Sequence, residues 1–234
     1  KDDAAQIECI NNAYANNAEV ILLASNGPDT QVATIEQLTK DGVKFIYVDS
    51  AANYPALQTL ATNNTNAGQI AGEQLLAKLT ANGVSEGKIG IVNVNAATTS
   101  TVQREAGFRK AFEGSKFELL ETQYGEGNAT KSQEIAANYI TAGCVGIFGT
   151  NEGGTVGVGN AIKEAGGTVV GVGFDKSDAI LGLIKDGSLL CTMAQDPYKM
   201  GYEGMMSAAK VLAGETLTEQ NVDTGVKVID ASSL

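Results

Sequence analysis

The sequence predicts an α/β protein in which parallel strands alternate with helices that cover both faces of the sheet. Short, nearly continuous apolar runs recur along its 234 residues, amphipathic stretches with helical spacing separate these runs, and 28 glycines suit tight strand-to-helix turns. Continuous apolar runs are typical of parallel strands that are buried on both sides. Their alternation with helices is the doubly wound pattern.

Seven apolar runs are predicted as strands, at residues 18–25, 44–50, 88–94, 116–124, 144–151, 168–175 and 189–196. Four amphipathic stretches are predicted as helices, at residues 66–80, 101–112, 130–143 and 155–166. In the first helix we expect Ile70, Leu75, Leu76 and Leu79 to lie on one broad apolar face. The stretch 49–68 lacks a clean helical period, so we expect it to cross between two lobes.

Composition excludes several classes of function. A net charge of -11 with 16 basic residues argues against binding to a nucleic acid backbone. The absence of histidine excludes histidine-based triads and histidine-ligated zinc. Cys9, Cys144 and Cys191 lack paired spacing and are interpreted as buried free thiols. No apolar run approaches the ~20 residues that a membrane helix needs.

Polar residues end several of the predicted strands. Asp49, Asn151 and Asp175 each close an apolar run, and Gln195 with Asp196 closes the last one. Helix capping alone favours such residues at these positions. In open parallel sheets, however, ligands bind where the carboxyl ends of the strands converge. Taken together, the four ends favour a polar pocket.

Arg104 lies in a predicted helix, near a start at which the helix dipole favours acidic residues. An inward-pointing guanidinium could hold the vicinal hydroxyls of a sugar in paired hydrogen bonds. The alternative is an exposed surface arginine, which is how we interpret Arg109.

Other types of site fit the sequence less well. Asp49 and Asp175 could form a glycosidase pair or a magnesium site, and Glu152 is a further candidate acid. The glycine-rich stretches GVGFD and GEGNAT lack the spacing of nucleotide-binding loops.

Six motifs occur in an order that resembles a known family: VDS, TNNTNAGQIAG, REAGF, IFGTNEGGTVGVGNAIKEAG, VGVGFD and DGSLLCTMAQDPYKMGYEG. The chain resembles ribose- and galactose-type periplasmic binding proteins, the solute-binding subunits of sugar ABC importers, over essentially its whole length. The resemblance implies two Rossmann-like lobes with parallel sheets, joined by three hinge crossings, which close on a monosaccharide without a cofactor.

The resemblance also implies roles for individual residues. Asp49, in the N-terminal lobe, would accept hydrogen bonds from hydroxyl groups of the sugar. Arg104, in the C-terminal lobe, would clamp the sugar with its guanidinium group. Asn151 and Asp175 would be strand-end hydrogen-bonding groups, and Gln195 would contact the sugar from a hinge crossing. Two departures from ribose-binding relatives stand out. Ser50 replaces an arginine, and Gly127 or Asn128 replaces a stacking phenylalanine, so Asn128 joins the candidate ligand-binding residues.

By the same resemblance, the N-terminal lobe would comprise residues 1–62 and 197–222, and the C-terminal lobe residues 64–195 and 224–234. Crossings would fall near 62–64, 195–196 and 222–224. The family's first strand, first helix and second strand have no counterpart before Lys1. We therefore expect an incomplete N-terminal lobe with an unpaired edge, either rearranged or completed by a second copy in a homodimer.

The resemblance implies a non-enzymatic sugar receptor that delivers its ligand to an ABC transporter permease. We expect a periplasmic or extracellular location, with lipid anchoring at the cell surface as one form of it. Two alternatives stay open at this point. One is the effector-binding core of a LacI-type transcription regulator, and the other is a glycoside-processing enzyme that uses Asp49 and Asp175.

Overall fold

A computed structural model of the chain describes residues 3–234. In its first part the elements run in the order α1 (Asp3–Ala15), β1 (Val20–Leu23), α2 (Val32–Lys40), β2 (Lys44–Val48), β3 (Gln58–Ala61), α3 (Asn64–Ala81), β4 (Glu86–Asn93), α4 (Thr99–Ala111), β5 (Lys116–Leu119) and β6 (Gln123–Tyr124). They continue with α5 (Ala129–Thr141), β7 (Cys144–Gly149), α6 (Glu152–Glu164), β8 (Val170–Phe174), α7 (Asp178–Lys185), β9 (Cys191–Gln195), α8 (Pro197–Leu212), β10 (Asn221–Asp223), β11 (Val226–Asp230) and a final 3-10 turn.

The chain divides into two compact units. The N-terminal unit comprises Lys1–Asn63 and Asp196–Gly225, and the C-terminal unit comprises Asn64–Gln195 and Val226–Leu234. The chain therefore passes from one unit to the other three times, after Asn63, after Gln195 and after Gly225.

The N-terminal unit is built on a four-stranded sheet with the order β1-β2-β3-β10, in which all described pairs are parallel. Phe45 and Tyr47 of β2 pack in the core cluster that includes residues of α1 and α2. Ile46 packs on the opposite face, against Ala208 of α8. Because the sheet is covered on both faces, β2 is a continuous apolar run rather than an alternating one.

The C-terminal unit is built on a seven-stranded sheet. Its strand order is β11-β9-β8-β7-β4-β5, and β6 also pairs with β4. β11 runs antiparallel to β9, and the other described pairs are parallel. Helices α3 and α4 contribute to the core on one face, and α5, α6 and α7 contribute to the core on the other. The predicted class, α/β with parallel sheets, is confirmed.

Helices α3 and α4 pack closely through glycines. A Cβ atom on Gly68 of α3 would lie 1.9 Å from the carbonyl oxygen of Arg104. One on Gly107 of α4 would lie 1.8 Å from the carbonyl oxygen of Thr65. Since any side chain there would force the backbones apart, these two glycines set the close approach that brings α4 next to the start of α3.

This packing corrects the predicted face of α3. Its buried side is formed mainly by small residues, together with Leu75 and Leu79. Ile70 and Leu76 are only partly buried and flank the core cluster. The apolar spacing favoured the large residues, whereas the glycine-mediated contact with α4 buries the small ones.

Two predicted segments also differ from the structure. The run 116–124 forms two strands, β5 and β6, because the register of pairing with β4 is interrupted between Leu119 and Gln123. The stretch 49–68 contains a strand, β3, and the first turn of α3, so it is only in part a connection.

The cysteine prediction holds for two of the three thiols. Cys144 and Cys191 are buried, and burial raises the pKa of Cys144 to about 11 and that of Cys191 to about 12. Cys9 is exposed, because α1 presents it on the side away from the core. The expectation of a buried Cys9 was therefore wrong.

Candidate binding site

Polar residues end four neighbouring strands of the C-terminal unit. Strands β9, β8, β7 and β4 are adjacent in the sheet and run parallel, so their carboxyl ends lie along one edge. Gln195, Asp175, Asn151 and Asn93 lie at or just beyond these ends. The structure thus brings three of the predicted site residues together on one edge, in the position at which open parallel sheets bind ligands.

Asp175 follows β8 in a left-handed backbone conformation, with φ of 73°. Its N–H donates to the carbonyl of Met193 on the neighbouring strand. Its Oδ2 accepts from the backbone N–H of Glu152 at 3.0 Å, and its Oδ1 accepts from Nε2 of Gln195 at 2.7 Å. Ser177, rather than Asp175, caps the following helix α7. Capping of α7 therefore does not explain this carboxylate, which instead ties β8 to β9 and to the start of α6.

The side-chain amide of Gln195 has a hydrogen-bond partner for its nitrogen but not for its oxygen among the described residues. Nε2 donates to Asp175, whereas the buried Oε1 has no hydrogen-bond partner among the described residues. Flipping the amide would place oxygen against the carboxylate, so the geometry fixes which end faces away from Asp175. A buried acceptor without a partner is costly, and a ligand hydroxyl would satisfy it.

Arg104 is 4% exposed and lies at the sixth position of α4. Nε donates to Oδ1 of Asn64 at 2.9 Å, and Nη1 donates to the carbonyl of Thr150 at 3.0 Å. The guanidinium carbon lies 3.7 Å from the centre of the Phe174 ring, a cation–π contact. Arg104 is therefore held inside the unit as expected, although it lies beyond the first turn of α4 rather than near the helix start.

Asn128 and Asn151 each cap a helix. The side-chain oxygen of Asn128 accepts from the N–H of Lys131 at 3.0 Å, and that of Asn151 accepts from the N–H of Gly154 at 3.0 Å. The starts of α5 and α6 are in close contact, since a Cβ atom on Gly153 would lie 1.9 Å from the carbonyl oxygen of Gly127. Capping uses only the oxygen of the side-chain amide, so both N–H donors of the NH₂ group keep their chemistry. An asparagine that caps a helix can therefore also donate hydrogen bonds to a ligand.

Asp49 belongs to the N-terminal unit, where it follows β2. Its φ is 65°, and its N–H donates to the carbonyl of Leu60 on the neighbouring strand. Asp49 and Asp175 thus share one local arrangement, a left-handed residue directly after a buried parallel strand. Such strained positions cluster at functional sites. The adjacent Ser50 donates its hydroxyl to the carbonyl of Ser25 at 2.9 Å.

The interpretation of Arg109 as an exposed surface arginine holds only in part, because the side chain is partly buried in a network of its own. Its side chain is 36% exposed and forms an ion pair with Glu105 at 2.8 Å. Nη2 also donates to the Thr122 hydroxyl and to the carbonyl of Leu120. Burial alone would raise the pKa of Glu105, but hydrogen bonds from Thr122, Asn93 and Arg109 outweigh it and hold that pKa below its ordinary value.

Sequence reasoning missed Asn93, Thr150 and Asn64, which are all buried. Asn93 and Thr150 lie at or after strand ends, so the rule that found Asp175 could also have found them. Asn64 begins α3, and no pattern in the sequence pairs it with Arg104.

Within residues 3–234, no group of three or more acidic or cysteine side chains is arranged to hold a metal ion. Over the same range, none of the helices combines the length and apolar character needed to cross a membrane.

A model of the periplasmic binding protein domain matches residues 1–216. The chain belongs to this family. The ribose import binding protein RbsB of Haemophilus influenzae is 29% identical over 238 residues, and the match covers 90% of this chain and 80% of the relative. The family resemblance stated from the sequence motifs is therefore confirmed.

Solved structures of the family also match. A carbohydrate transporter solute-binding protein from Agrobacterium radiobacter, in complex with D-arabinose, is 32% identical with a TM-score of 0.91, covering 99% of this chain and 80% of its own. An ABC transporter solute-binding protein from Agrobacterium vitis with bound D-fucose is 28% identical with a TM-score of 0.87, covering 99% of this chain and 84% of its own. These relatives are binding proteins of transporters, and two of them hold a monosaccharide.

Proposed function

We propose that this protein is an extracytoplasmic receptor that captures a monosaccharide and delivers it to an ABC transporter permease. One observation carries the proposal: buried and part-buried contacts hold Arg104, Asp175 and Gln195 at the carboxyl ends of the parallel strands, which is where open parallel sheets bind ligands. Relatives that bind D-arabinose and D-fucose support the choice of ligand class.

The chemistry of these groups matches a neutral polyol. The carboxylate of Asp175 accepts charge-assisted hydrogen bonds from hydroxyls, and a guanidinium or an asparagine NH₂ donates to hydroxyl oxygens. We propose that Arg104, Asn128, Asn151, Asp175 and Gln195 bind the sugar from one lobe and that Asp49 binds it from the other. The hydroxyl of Ser50 donates to the carbonyl of Ser25. The residues proposed to bind the sugar therefore differ from those of a relative that has an arginine at the position of Ser50.

A thermal-shift panel tests the proposal. The protein is incubated with D-ribose, D-arabinose, D-allose, D-fucose, D-tagatose and, as a non-sugar control, an amino acid. A bound sugar at a hundredfold excess over Kd adds about 2.7 kcal/mol of stability, which corresponds to a rise of roughly 5 to 10 °C in Tm. Calorimetry then gives the Kd. If no monosaccharide raises Tm at millimolar concentration, the proposal is wrong.

We further propose that the protein is not a glycosidase. Incubation with aryl glycosides should release no phenol, although Asp49 and Asp175 are both carboxylates. Release of phenol at a rate that both Asp49→Asn and Asp175→Asn abolish would favour the enzyme instead.

Delivery to a permease and association with a second copy are further parts of the proposal. Strand β1 lies at the edge of its sheet, and Tyr198, Tyr202 and Met205 of the neighbouring helix α8 are exposed. Edge strands beside apolar surface favour pairing with another chain. Light scattering should show a dimer at micromolar concentration, and a monomer at all concentrations would contradict this part alone.

Stimulation of permease ATPase activity by the sugar-loaded protein tests delivery.

A further inference from the structure

Four polar residues, one of which is the candidate site residue Arg104, form a ring that is closed by hydrogen bonds and by the peptide bond between Arg104 and Glu105. Asn93, Arg104 and Thr150 are 2%, 4% and 0% exposed, and Glu105 is half-buried with 17% of its side chain exposed. The ring joins the ends of β4 and β7 to the middle of α4. A buried polar network of this kind is stable only when each member is satisfied, so its geometry is tightly fixed.

The ring closes because α4 contributes two consecutive residues. Arg104 donates from Nη1 to the carbonyl of Thr150 at 3.0 Å. The hydroxyl of Thr150 donates to Oδ1 of Asn93 at 3.0 Å, and Nδ2 of Asn93 donates to Oε2 of Glu105 at 2.7 Å. The carbonyl of Thr150 is thereby held directly by α4, and its hydroxyl is held by Asn93 of β4, which α4 holds in turn through Glu105. Thr150 directly precedes Asn151, so the ring also fixes where the peptide of Asn151 begins.

The outer side of the ring is anchored by a second arginine. Oε1 of Glu105 accepts from Nε of Arg109 at 2.8 Å and from the hydroxyl of Thr122 at 2.5 Å. Arg104 and Arg109 are the two arginines of the whole sequence. One arginine lies within the ring and the other secures the carboxylate from outside.

We infer that Asn93, Thr150 and Glu105 are positioning residues for the proposed sugar site, and that they act through Arg104 and Asn151 without touching the sugar. The inference rests on the proposed function. A guanidinium that is already oriented loses less conformational entropy on binding, so fixing it raises affinity. Asn93 is central, because its oxygen must accept from Thr150 while its nitrogen donates to Glu105.

The sharpest test is Asn93→Asp, which preserves the shape of the side chain but replaces the N–H donor to Glu105 with an oxygen. The new carboxylate oxygen would face Oε2 of Glu105, where two like charges repel unless they share a proton. A second variant, Asn93→Asp combined with Glu105→Gln, restores a donor and an acceptor with the roles exchanged. Asn82→Asp is the matched control, because Asn82 is exposed in the turn after α3.

We expect Asn93→Asp to weaken sugar affinity about tenfold at pH 8 and the exchanged pair to recover most of the loss. A shared proton restores the bond at lower pH. The ratio of Kd values, variant to wild type, should therefore fall as pH is lowered from 8 to 5. Among the described residues, Arg109 of α4 and Tyr139 of α5 are the charged or titratable groups that interact with Glu105, and Arg104 donates to the carbonyl of Thr150. None of these three residues differs between the wild type and the variant.

A second readout needs no ligand. With only two arginines, the side-chain Nε–Hε signals in an NMR spectrum are assigned by Arg109→Lys. We expect the Arg104 signal to shift or broaden in Asn93→Asp, to return in the exchanged pair and to stay in place in Asn82→Asp.

The two readouts separate failure of the inference from failure of the proposed function. If the wild type binds no sugar, the function proposal fails while the NMR signal still tests the ring. If Asn93→Asp binds sugar like the wild type at every pH with an unmoved Arg104 signal, the inference is overturned. A lowered Tm with unchanged affinity and signal also overturns it. If Asn93→Asp does not fold, the sugar affinity and the Arg104 signal are compared between Glu105→Gln and the double variant of Asn93→Asp with Glu105→Gln.

Discussion

Arg104 is buried, whereas the other five residues proposed for the site are exposed or partly buried. It is buried among a side-chain amide, a backbone carbonyl and an aromatic ring, so its orientation is set before any ligand arrives. The strand-end rule predicted Asp49, Asn151, Asp175 and Gln195 from the sequence. It could not predict that Asp175 would accept from Gln195, because that hydrogen bond depends on which strands become neighbours. The pairing of Arg109 with Glu105, in contrast, is a contact between residues four apart on α4, which helical spacing could have predicted.

Replacing Arg104 with alanine should weaken sugar binding by roughly 1.5 to 3 kcal/mol, or about 10- to 150-fold in Kd, because hydrogen bonds to a charged group are lost in a buried site. Lys110→Ala is the matched control, since Lys110 is exposed on the same helix. Calorimetry at pH 7 measures both. Equal losses in the two variants would remove Arg104 from the site.

Asp175→Asn should reduce affinity while leaving the fold intact. Asparagine tolerates the left-handed conformation about as well as aspartate does, so the backbone at φ of 73° is not newly strained. The neutral amide, however, loses the charge that strengthens bonds to hydroxyls. Asp178→Asn, on the exposed first turn of α7, is the control. If Asp175→Asn lowers the unfolding temperature of the ligand-free protein without changing Kd, the carboxylate serves α6 rather than a ligand.

Helices show where periodicity succeeds as a predictor and where it does not. The four helices predicted from helical spacing are present as α3, α4, α5 and α6. The buried face of α3 was assigned incorrectly, because a scan for large apolar residues overlooks an interface made by Gly68, Ala71 and Gly72. Strand β3, with the sequence QTLA, was missed because four residues with two polar side chains give no apolar run.

The close packing of α3 on α4 predicts a strong asymmetry between two glycine substitutions. Gly68→Ala should destabilise the protein by roughly 1 to 3 kcal/mol, since the new methyl group would collide with the backbone of α4. Gly182→Ala, in α7, meets nothing within 4 Å and should be neutral or stabilising by up to about 1 kcal/mol. Urea unfolding measures both. Equal effects would mean that the two helices separate at little cost.

For the molecule as a whole, charge sets how stability depends on pH. The chain carries a net charge of -11, and the pKa of Glu105 lies below its ordinary value. A carboxyl group whose pKa is lower in the folded state stabilises the fold above its unfolded pKa, and this stabilisation is lost as pH falls through the folded pKa. Thr122 and Asn93 lie on other elements than Glu105, so of the responsible side chains only Arg109, four residues further along α4, follows from a sequence pattern.

We therefore expect Glu105→Gln to flatten the acid limb of the stability curve. Wild-type unfolding free energy should fall as pH drops below about 4.5, the ordinary pKa of a glutamic acid side chain, and the variant should lose less over the same range. Urea unfolding from pH 3 to 7 measures this slope, with the exposed substitution Glu113→Gln as the control. An identical slope in wild type and Glu105→Gln would mean that the pKa is not lowered.

Asp49 and Asp175, one in each unit, use the same local construction after a buried strand. In evolutionary terms this construction narrows the accessible substitutions at both positions to the few residues that tolerate a left-handed backbone, chiefly asparagine and glycine. Saturation mutagenesis read out by folding should thus give the two positions the same short tolerance profile, although they lie in different parts of the sequence. Substitutions would then be accepted more readily at residues without this backbone constraint, such as Ser50 and Asn128, than at the two aspartates themselves.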